Sequence, residues 1–312
     1  MEGFEWKMSS NLYVGFTGWA PSKDLLTVVK LCRFFNRRRV YAIFDEYCGL
    51  TSDVLFKKQA KSWLYYEDGR VKGFALGRHS QGALRMRGAF AFEEVWAPCD
   101  GVSTELGCLS EDDIEKVNRF RELIESMEEN LIVIRASVDN SFAHLVARTL
   151  KANWINGLVL AERKLSEKVE VSVPKGFRLR TFKSGDENRI ARIHKEVFGE
   201  NFSPMRYRIW ATASNCRTIV ATKNGFPVGF IIAEKRSCGS LGDFIIAVDP
   251  SHHRKGLGST LLQAAFNVFI DMNVKKVIAD YLMLNTPAHH FYQKHNFRPK
   301  RTYNYFLYGK KH

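Results

Sequence analysis

The stretch that decides the fold is residues 244–262, FIIAVDPSHHRKGLGSTLL. Its first five residues are apolar and three of them are β-branched, which predicts a buried strand that the Asp249-Pro250 pair ends. After Gly258 apolar residues recur at helical spacing, so a helix follows. The loop therefore lies at a helix N-terminus, where unpaired N–H groups and the helix dipole attract anions. This pattern predicts an anion site, and an ordinary strand-to-helix turn is the alternative.

Length and composition predict two globular domains. The chain has 312 residues, of which 45% are apolar, and this is about twice the length of a typical domain. No apolar run approaches the ~18 residues of a membrane span, and the acidic N-terminus does not resemble a signal peptide. We therefore expect a cytoplasmic protein with no membrane partner. The six cysteines lack a Cys-x-x-Cys pair, and neither a metal site nor a disulfide framework is expected.

The net charge of +14 is unevenly distributed. Residues 1–170 hold 24 Lys and Arg against 24 Asp and Glu, whereas residues 171–312 hold 23 against 9. The excess positive charge therefore belongs to the second half. It indicates an anionic partner there, either a polyphosphate cofactor or a nucleic acid, and a basic solvated surface is the alternative.

Hydrophobic periodicity predicts the same order of elements in both halves. In the first half we expect a strand at 11–16, a helix at 24–35, a hairpin at 63–76, a strand ending at Pro98, a helix at 112–128, a strand at 131–136, a helix at 140–151 and a strand at 157–161. In the second half we expect strands at 177–182, 241–248, 275–281 and 297–308, a hairpin at 217–234, and helices at 186–197, 204–212, 257–271 and 286–294.

Three local features also recur, at offsets of 156, 152 and 145 residues. They are a glycine hairpin turn at 68–74 and 224–230, a Phe followed six residues later by Pro at 92 and 244, and an Asn-x-x-Ala helix start at 140 and 285. We interpret them as an internal duplication of one α/β unit. The resulting domains are residues 1–168 and 169–312, with residues 165–175 as the linker.

The second half resembles the GNAT superfamily of N-acyltransferases over residues 176–308. The resemblance rests on Val-x-Pro at 248–250, on a loop similar to (Arg/Gln)-x-x-Gly-x-Gly at 253–258, and on Asn-x-x-Ala-x-x-Phe-Tyr at 285–292. It implies an α/β fold with mixed sheets, built as two tandem GNAT-like acyltransferase domains. It also implies transfer of an acetyl group from acetyl-CoA to an amine by direct attack on the thioester. His253 departs from the family, which has Arg or Gln at this position.

The resemblance also implies where acetyl-CoA binds. Backbone groups of Ile246, Ala247 and Val248 hold the pantetheine arm and the thioester. The diphosphate is cradled by His253, Arg254, Lys255, Gly256, Leu257, Gly258 and Ser259. Asn285 caps the helix that follows it and fixes the turn beside the cofactor. Basic residues near the last strand either contact the 3′-phosphate or are solvated strand ends: Arg298, Lys300, Arg301, Lys310 and Lys311.

Two residues are candidates for catalysis. Tyr292 is the candidate general acid, since a phenol of pKa about 10 can protonate a departing thiolate; packing beside Phe297 is the alternative. Asp243 is the candidate general base, with a solvated carboxylate at a strand end as its alternative. Other options for the base are His194, Glu196 and Glu200.

The first half resembles the same fold but lacks the Gly-x-Gly loop. After Pro98 it carries carboxylates that would repel phosphate, and Ala147 and Arg148 stand where the second half has Tyr292. We therefore expect a degenerate domain that does not bind acyl-CoA.

Two functions are compatible with the sequence. The first is an acetyl-CoA-dependent N-acetyltransferase whose acceptor amine is a small molecule, a peptide or a protein. The alternative is a catalytically weak GNAT-fold module that binds RNA, a ribosome or another polyanion through its basic domain.

Overall fold

The computed structural model describes residues 17–22, 60–79, 89–97, 110–199, 202–236 and 239–310. The strand predicted at 11–16 and the helix at 24–35 lie outside these residues. Contacts divide the chain into two units. Unit 1 comprises residues 1–159, 282–284 and 301–312, and unit 2 comprises residues 160–281 and 285–300. The expected domain boundary at residues 168 and 169 stays a prediction.

The described residues form twelve strands and six α-helices. The strands are β1 (Gly18–Ser22), β2 (Ala60–Glu67), β3 (Arg70–His79), β4 (Phe90–Trp96), β5 (Leu131–Ser137), β6 (Asn153–Lys164), β7 (Phe177–Thr181), β8 (Cys216–Lys223), β9 (Phe226–Lys235), β10 (Leu241–Val248), β11 (Lys276–Leu282) and β12 (Arg298–Gly309). The helices are α1 (Glu111–Ser126), α2 (Ser141–Thr149), α3 (Asp186–Phe198), α4 (Pro204–Thr212), α5 (Leu257–Asp271) and α6 (Thr286–Lys294).

In unit 1 a mixed sheet packs against α1 and α2. Its strand order is β1-β2-β3-β4-β5-β12, with β4 and β5 parallel and the other neighbours antiparallel. The β2–β3 hairpin turns at Asp68 and Gly69, whose φ angles of 49° and 75° are left-handed, as a two-residue hairpin turn requires. Phe120 of α1 and Phe142 of α2 are buried against Phe92 of the sheet.

In unit 2 the sheet order is β7-β8-β9-β10-β11, again with one parallel pair, β10 with β11. Helices α3 and α4 bury Ile190, Ile193 and Tyr207 against β8, β9 and β10. Helix α5 buries an almost continuous apolar surface that includes Leu261 and Phe269. The mixed α/β fold, and the order of elements predicted for the described residues, are confirmed.

Hydrogen bonds hold the segment between β6 and β7 against α5. Val169 and the Asn267 side chain exchange two hydrogen bonds of 2.8 and 2.9 Å. Farther along, the Thr260 hydroxyl donates to the Ser172 carbonyl over 2.9 Å. The predicted linker is thus an irregular strap held along one side of α5.

No helix among the described residues has the length and apolarity needed to cross a membrane.

Candidate active site

The centre of unit 2 is a gap between two parallel strands. Strands β10 and β11 pair only at Leu241 with Lys276 and at Gly242 with Val277. Beyond these pairs β10 continues to Val248 along β9, while β11 runs on to Leu282 without pairing to it. The two strands therefore diverge, and the edge of β10 from Phe244 onward is open.

The backbone of β10 alternates between β9 and this open edge. The Asp249 N–H donates to the Val228 carbonyl of the β9 segment over 2.9 Å. Since successive residues of an antiparallel strand point to opposite sides, Ala247 also faces β9, whereas Ile246 and Val248 face the open edge. Of the three residues expected to hold the pantetheine arm, Ile246 and Val248 thus present backbone groups to the open edge, whereas Ala247 does not.

The turn after β10 is fixed by Asp249. Its carboxylate accepts hydrogen bonds from the N–H and hydroxyl of Ser251 at 2.9 and 2.6 Å, and it pairs with Arg189 of α3. Burial opposes ionisation of Asp249, but the Ser251 hydrogen bonds and the Arg189 and His252 charges outweigh it and lower its pKa. The carboxylate is thereby held as an anion that caps the short 3₁₀ turn Pro250–His252.

The start of α5 offers unpaired donors. Gly256 precedes the helix with a φ of 82°, a left-handed conformation that glycine adopts without strain. The Thr260 N–H donates to the Gly256 carbonyl over 3.1 Å, so the N–H groups of the three residues before Thr260 have no acceptor in the helix. These residues are Leu257, Gly258 and Ser259. We call these three residues the anion cradle, because unpaired N–H groups at the positive end of a helix dipole attract anions.

The side chains of the loop mostly bind the loop itself. His253 Nε2 lies 2.8 Å from the Val248 carbonyl oxygen, and since that oxygen only accepts, Nε2 donates. Lys255 Nζ donates to the Ser251 carbonyl over 3.0 Å, and Arg254 has a left-handed φ of 59°. His253 therefore fastens the loop to the end of β10, which gives this unusual residue a structural role.

Asn285 and Gly258 position the helix that carries Tyr292. Asn285 Oδ1 accepts from the Ala288 N–H over 3.1 Å and caps α6, as predicted. A Cβ on Gly258 would lie 3.3 Å from the Phe291 ring. Glycine at this position lets α5 and α6 approach closely.

Tyr292 is 9% exposed and lies among aromatic rings. Its ring stacks on the Tyr281 ring, with 5.4 Å between the ring centres. The centres of the Phe297 and Phe244 rings lie 5.4 and 6.1 Å away. Burial and the negative charges of Asp280 and Asp243 raise its pKa. The phenol thus stays protonated at neutral pH and is able to donate a proton.

Asp243 is held in an ion pair. Arg236 donates to Asp243 Oδ2, and the Phe244 N–H donates to Oδ1 over 2.7 Å. Arg236 also reaches Glu234 at 3.4 Å, and Glu234 accepts from Trp210 of α4. The predicted base is therefore tied into a charged network, and its catalytic role stays a prediction.

Asp280 is a residue that the sequence interpretation missed. It lies on β11 beyond the last β10–β11 pair. It is exposed to solvent, yet surrounding protein atoms desolvate the carboxylate. This desolvation and the charge of Asp243 raise its pKa to about 6, although Arg236 acts in the opposite direction. A carboxylate in the apolar run from Val277 to Tyr281 was the available signal.

The other candidates for the base have different surroundings. His194 is 1% exposed and packs at 4.6 Å from the Phe198 ring. Glu196 pairs with Arg192 one helical turn away, at 2.9 Å. Glu200 lies outside the described residues.

One known family matches this part of the chain. Residues 188–297 match the model of the acetyltransferase (GNAT) family, which spans α3, the open strand, the cradle and Tyr292. Residues 188–297 therefore form a GNAT domain. This match and a curated N-acetyltransferase relative support acyl-CoA-dependent N-acetyltransferase activity.

That relative is N-alpha-acetyltransferase 30 of Dictyostelium discoideum, 28% identical over 129 residues, which are 39% of this chain and 68% of the relative. The fold of the whole chain resembles a tandem GNAT protein from the clavulanic acid biosynthesis pathway, with a TM-score of 0.65, 14% identity and coverage of 95% and 100% of the two chains. A GCN5-related N-acetyltransferase from Sphaerobacter thermophilus gives a TM-score of 0.64, 15% identity and coverage of 93% and 95%. These two likenesses show the tandem GNAT fold.

Unit 1 has a different arrangement at the corresponding strands. Strands β4 and β5 pair at three positions from Phe90 to Phe92. The Asn140 Nδ2 group then donates to the Val95 carbonyl over 2.7 Å, which ties the start of α2 to the end of β4. The backbone carbonyl of Val95 on β4 is thus already hydrogen-bonded within unit 1. The segment that lacks Gly-x-Gly, residues 99–109, lies outside the described residues.

Proposed function

We propose that this GNAT enzyme transfers an acetyl group from acetyl-CoA to a primary amine in unit 2, without a covalent enzyme intermediate. The observation that carries the proposal is the divergence of β10 and β11. The anion cradle follows β10, the open strand. The opposite strand, β11, carries Asp280, which interacts electrostatically with Tyr292.

The residues present fit acetyl-CoA, which supplies the activated acyl thioester when bound. The backbone groups of Ile246 and Val248 at the open edge suit the extended, amide-containing pantetheine arm. The arm would hydrogen-bond to β10 in the way that an added strand does. The N–H groups of Leu257, Gly258 and Ser259 match a diphosphate. The left-handed Gly256 has open space where a side chain would begin, with Pro174 as its nearest neighbour at 3.5 Å.

Asp280 is our candidate for the general base. A carboxylate with a pKa near 6 is mostly ionised at neutral pH, yet it is more basic than an ordinary aspartate. It accepts the proton of the attacking amine at a carboxylate oxygen, directly or through water. Asp243 supports it by raising its pKa.

Tyr292 is our candidate for the general acid. Its raised pKa keeps the proton on the phenol oxygen until a stronger base develops nearby. That proton is delivered to the departing sulfur. Stacking on Tyr281 and contact with Phe297 fix the ring, so that the phenol is oriented before the reaction.

The first acceptor to test is a peptide α-amine. The name of the Dictyostelium relative specifies that chemistry, and an α-amine with a pKa near 8 is partly neutral at pH 7. Lysine side chains and small amines are the competing acceptors.

Two measurements test the proposal. Acetyl-CoA should raise the melting temperature by mass action, and titration calorimetry should find one site per chain, since we expect none in unit 1. A panel of peptides, lysine and small amines should then release free CoA from acetyl-CoA. Failure of acetyl-CoA to bind would overturn the proposal. Binding of acetyl-CoA without CoA release, together with salt-sensitive RNA binding, would favour the polyanion-binding module instead.

A further inference from the structure

Unit 2 contains a pocket of about 280 Å³ outside the open strand and the cradle. It lies beside α5, where Gln263 and Phe266 form one wall. The strap residue Val169 and the end of α6 also line it. The pocket is at the lower end of the size range of ligand sites, which suits a single small group.

Arg163, near the end of β6, is the central cation of this pocket. Its guanidinium carbon lies 4.1 Å from the centre of the Phe266 ring, and Nη1 donates to the His295 carbonyl over 2.7 Å. Desolvation by burial lowers its pKa. Among the described side chains no carboxylate acts electrostatically on Arg163, since burial is the sole cause of its pKa shift. A desolvated cation without a counter-ion favours binding of an anion.

Lys294 and His295 add to the positive potential. His295 is 7% exposed, and its pKa is lowered to about 4 by burial and by the charges of Arg163 and Lys294. The imidazole is therefore neutral at pH 7. The described lining contains no acidic residue, and Gln263 and Asn296 supply amide donors.

The pocket adjoins the anion cradle. His295 Nε2 lies 2.9 Å from the hydroxyl of Ser259, which is a cradle residue, and Gln263 lies one helical turn farther along α5. An anion in the pocket would thus lie next to the cradle. Arg163 precedes residues 188–297, which match the family model, so the central cation is supplied from outside the matched region.

We propose that this pocket binds a phosphate monoester. A guanidinium offers a forked pair of donors that matches phosphate oxygens, and an ammonium beside it neutralises the second charge. The phosphate comes from one of two sources. One source is the 3′-phosphate of coenzyme A, an alternative that rests on the proposed function. The other is a separate phosphate-bearing molecule, which does not depend on acetyl transfer.

The test compares coenzyme A with dephospho-coenzyme A, which lacks the 3′-phosphate. Titration calorimetry on the full chain should show about tenfold tighter binding of coenzyme A. Arg163→Gln and Lys294→Gln should each reduce that preference to about twofold or less, while the affinity for dephospho-coenzyme A stays unchanged. Lys168→Gln, which removes a charge on the strap that pairs with Asp271, should leave the preference intact.

A second arm uses inorganic phosphate and measures the melting temperature. If the source is a separate molecule, both coenzymes bind equally, and phosphate stabilises the natural chain but not Arg163→Gln. Absence of both the coenzyme preference and the phosphate effect overturns the proposal. An equal loss of both coenzymes in the variants also overturns it, because the substitutions would then act on the cradle or on folding. Failure of both coenzymes to bind the natural chain counts against the proposed function alone, and the inorganic phosphate measurement then supports or overturns the pocket.

Discussion

Arg135 and Asp280 hold equivalent positions in the two units, five residues before Asn140 and Asn285 respectively. Each asparagine caps the following helix by accepting from an alanine N–H, at 3.0 and 3.1 Å. Arg135 is buried, with its guanidinium 5.0 Å from the centre of the Tyr303 ring. Asp280 instead reaches solvent beside the open strand. The charge at this position is thus reversed, and only unit 2 has a carboxylate there to act as a base.

Replacing Asp280 tests the base. Asp280→Asn should lower kcat/KM by roughly 10²–10⁴-fold, the usual contribution of a general base, with unchanged acetyl-CoA affinity. In the natural enzyme the rate should rise with pH through about 6, because Asp280 must lose its proton before it can accept one. Steady-state kinetics between pH 5 and pH 9 should show this limb, and the variant should lack it.

Asp243→Asn provides the comparison. Asp243 raises the pKa of Asp280, so its removal should move the limb to lower pH without abolishing it. If the limb instead vanishes in Asp243→Asn and persists in Asp280→Asn, Asp243 is the base.

Replacing Tyr292 tests the acid. Tyr292→Phe keeps the stacked ring but removes the proton, so turnover should fall by ~10²-fold or more while acetyl-CoA affinity is retained. Tyr281→Phe is the matched control, since the Tyr281 hydroxyl instead contacts His289 Nδ1 at 3.0 Å. Burst kinetics and calorimetry separate the two effects. Equal loss of binding and turnover in Tyr292→Phe would show that the residue acts by packing.

Two glycines with similar backbone angles test the cradle. Gly256 and Gly225 have φ angles of 82° and 84°, so alanine at either should cost about 1–2 kcal/mol of unfolding free energy. Gly256→Ala should also weaken acetyl-CoA binding, because Gly256 directly precedes the cradle. Gly225→Ala should not, because Gly225 lies in the β8–β9 turn. Denaturant unfolding and calorimetry measure the two quantities. Equal affinities in both variants would contradict the assignment of the cradle.

The two capping asparagines test whether unit 1 contributes to donor binding. Asn140→Ala and Asn285→Ala should each destabilise the chain by about 1 kcal/mol. Asn140→Ala should cost more, since it also removes the buried hydrogen bond to the Val95 carbonyl. Acetyl-CoA affinity should decrease only in Asn285→Ala. A decrease of similar size in Asn140→Ala would indicate that unit 1 also takes part.

Local signals predicted much of unit 2. Helix α4 begins at Pro204 after its Ser203 cap, and β10 ends at Val248, directly before the Asp249-Pro250 pair. Such boundaries depend on residues close in sequence. The cradle was predicted for the same reason, because its glycines and its helix are contiguous.

The importance of Asp280 could not be predicted in this way. It depends on the divergence of β10 and β11. The residues that pair between these strands, such as Leu241 and Lys276, are more than thirty positions apart in sequence. It also depends on desolvation by surrounding protein atoms and on the charge of Asp243, which are properties of the packed unit. The role of His253 was equally hidden, since its hydrogen bond to Val248 follows from the path of the turn.

Strand β12 pairs with β5 from Tyr303–Ser137 to Gly309–Leu131, and both partners belong to unit 1. The ribosome therefore synthesises all of unit 2 before it produces the last strand of unit 1. Vectorial folding, in which the N-terminal unit is completed first, is not open to this chain. Unit 1 can complete its sheet only after β12 has been synthesised, so the edge of β5 stays unpaired until then.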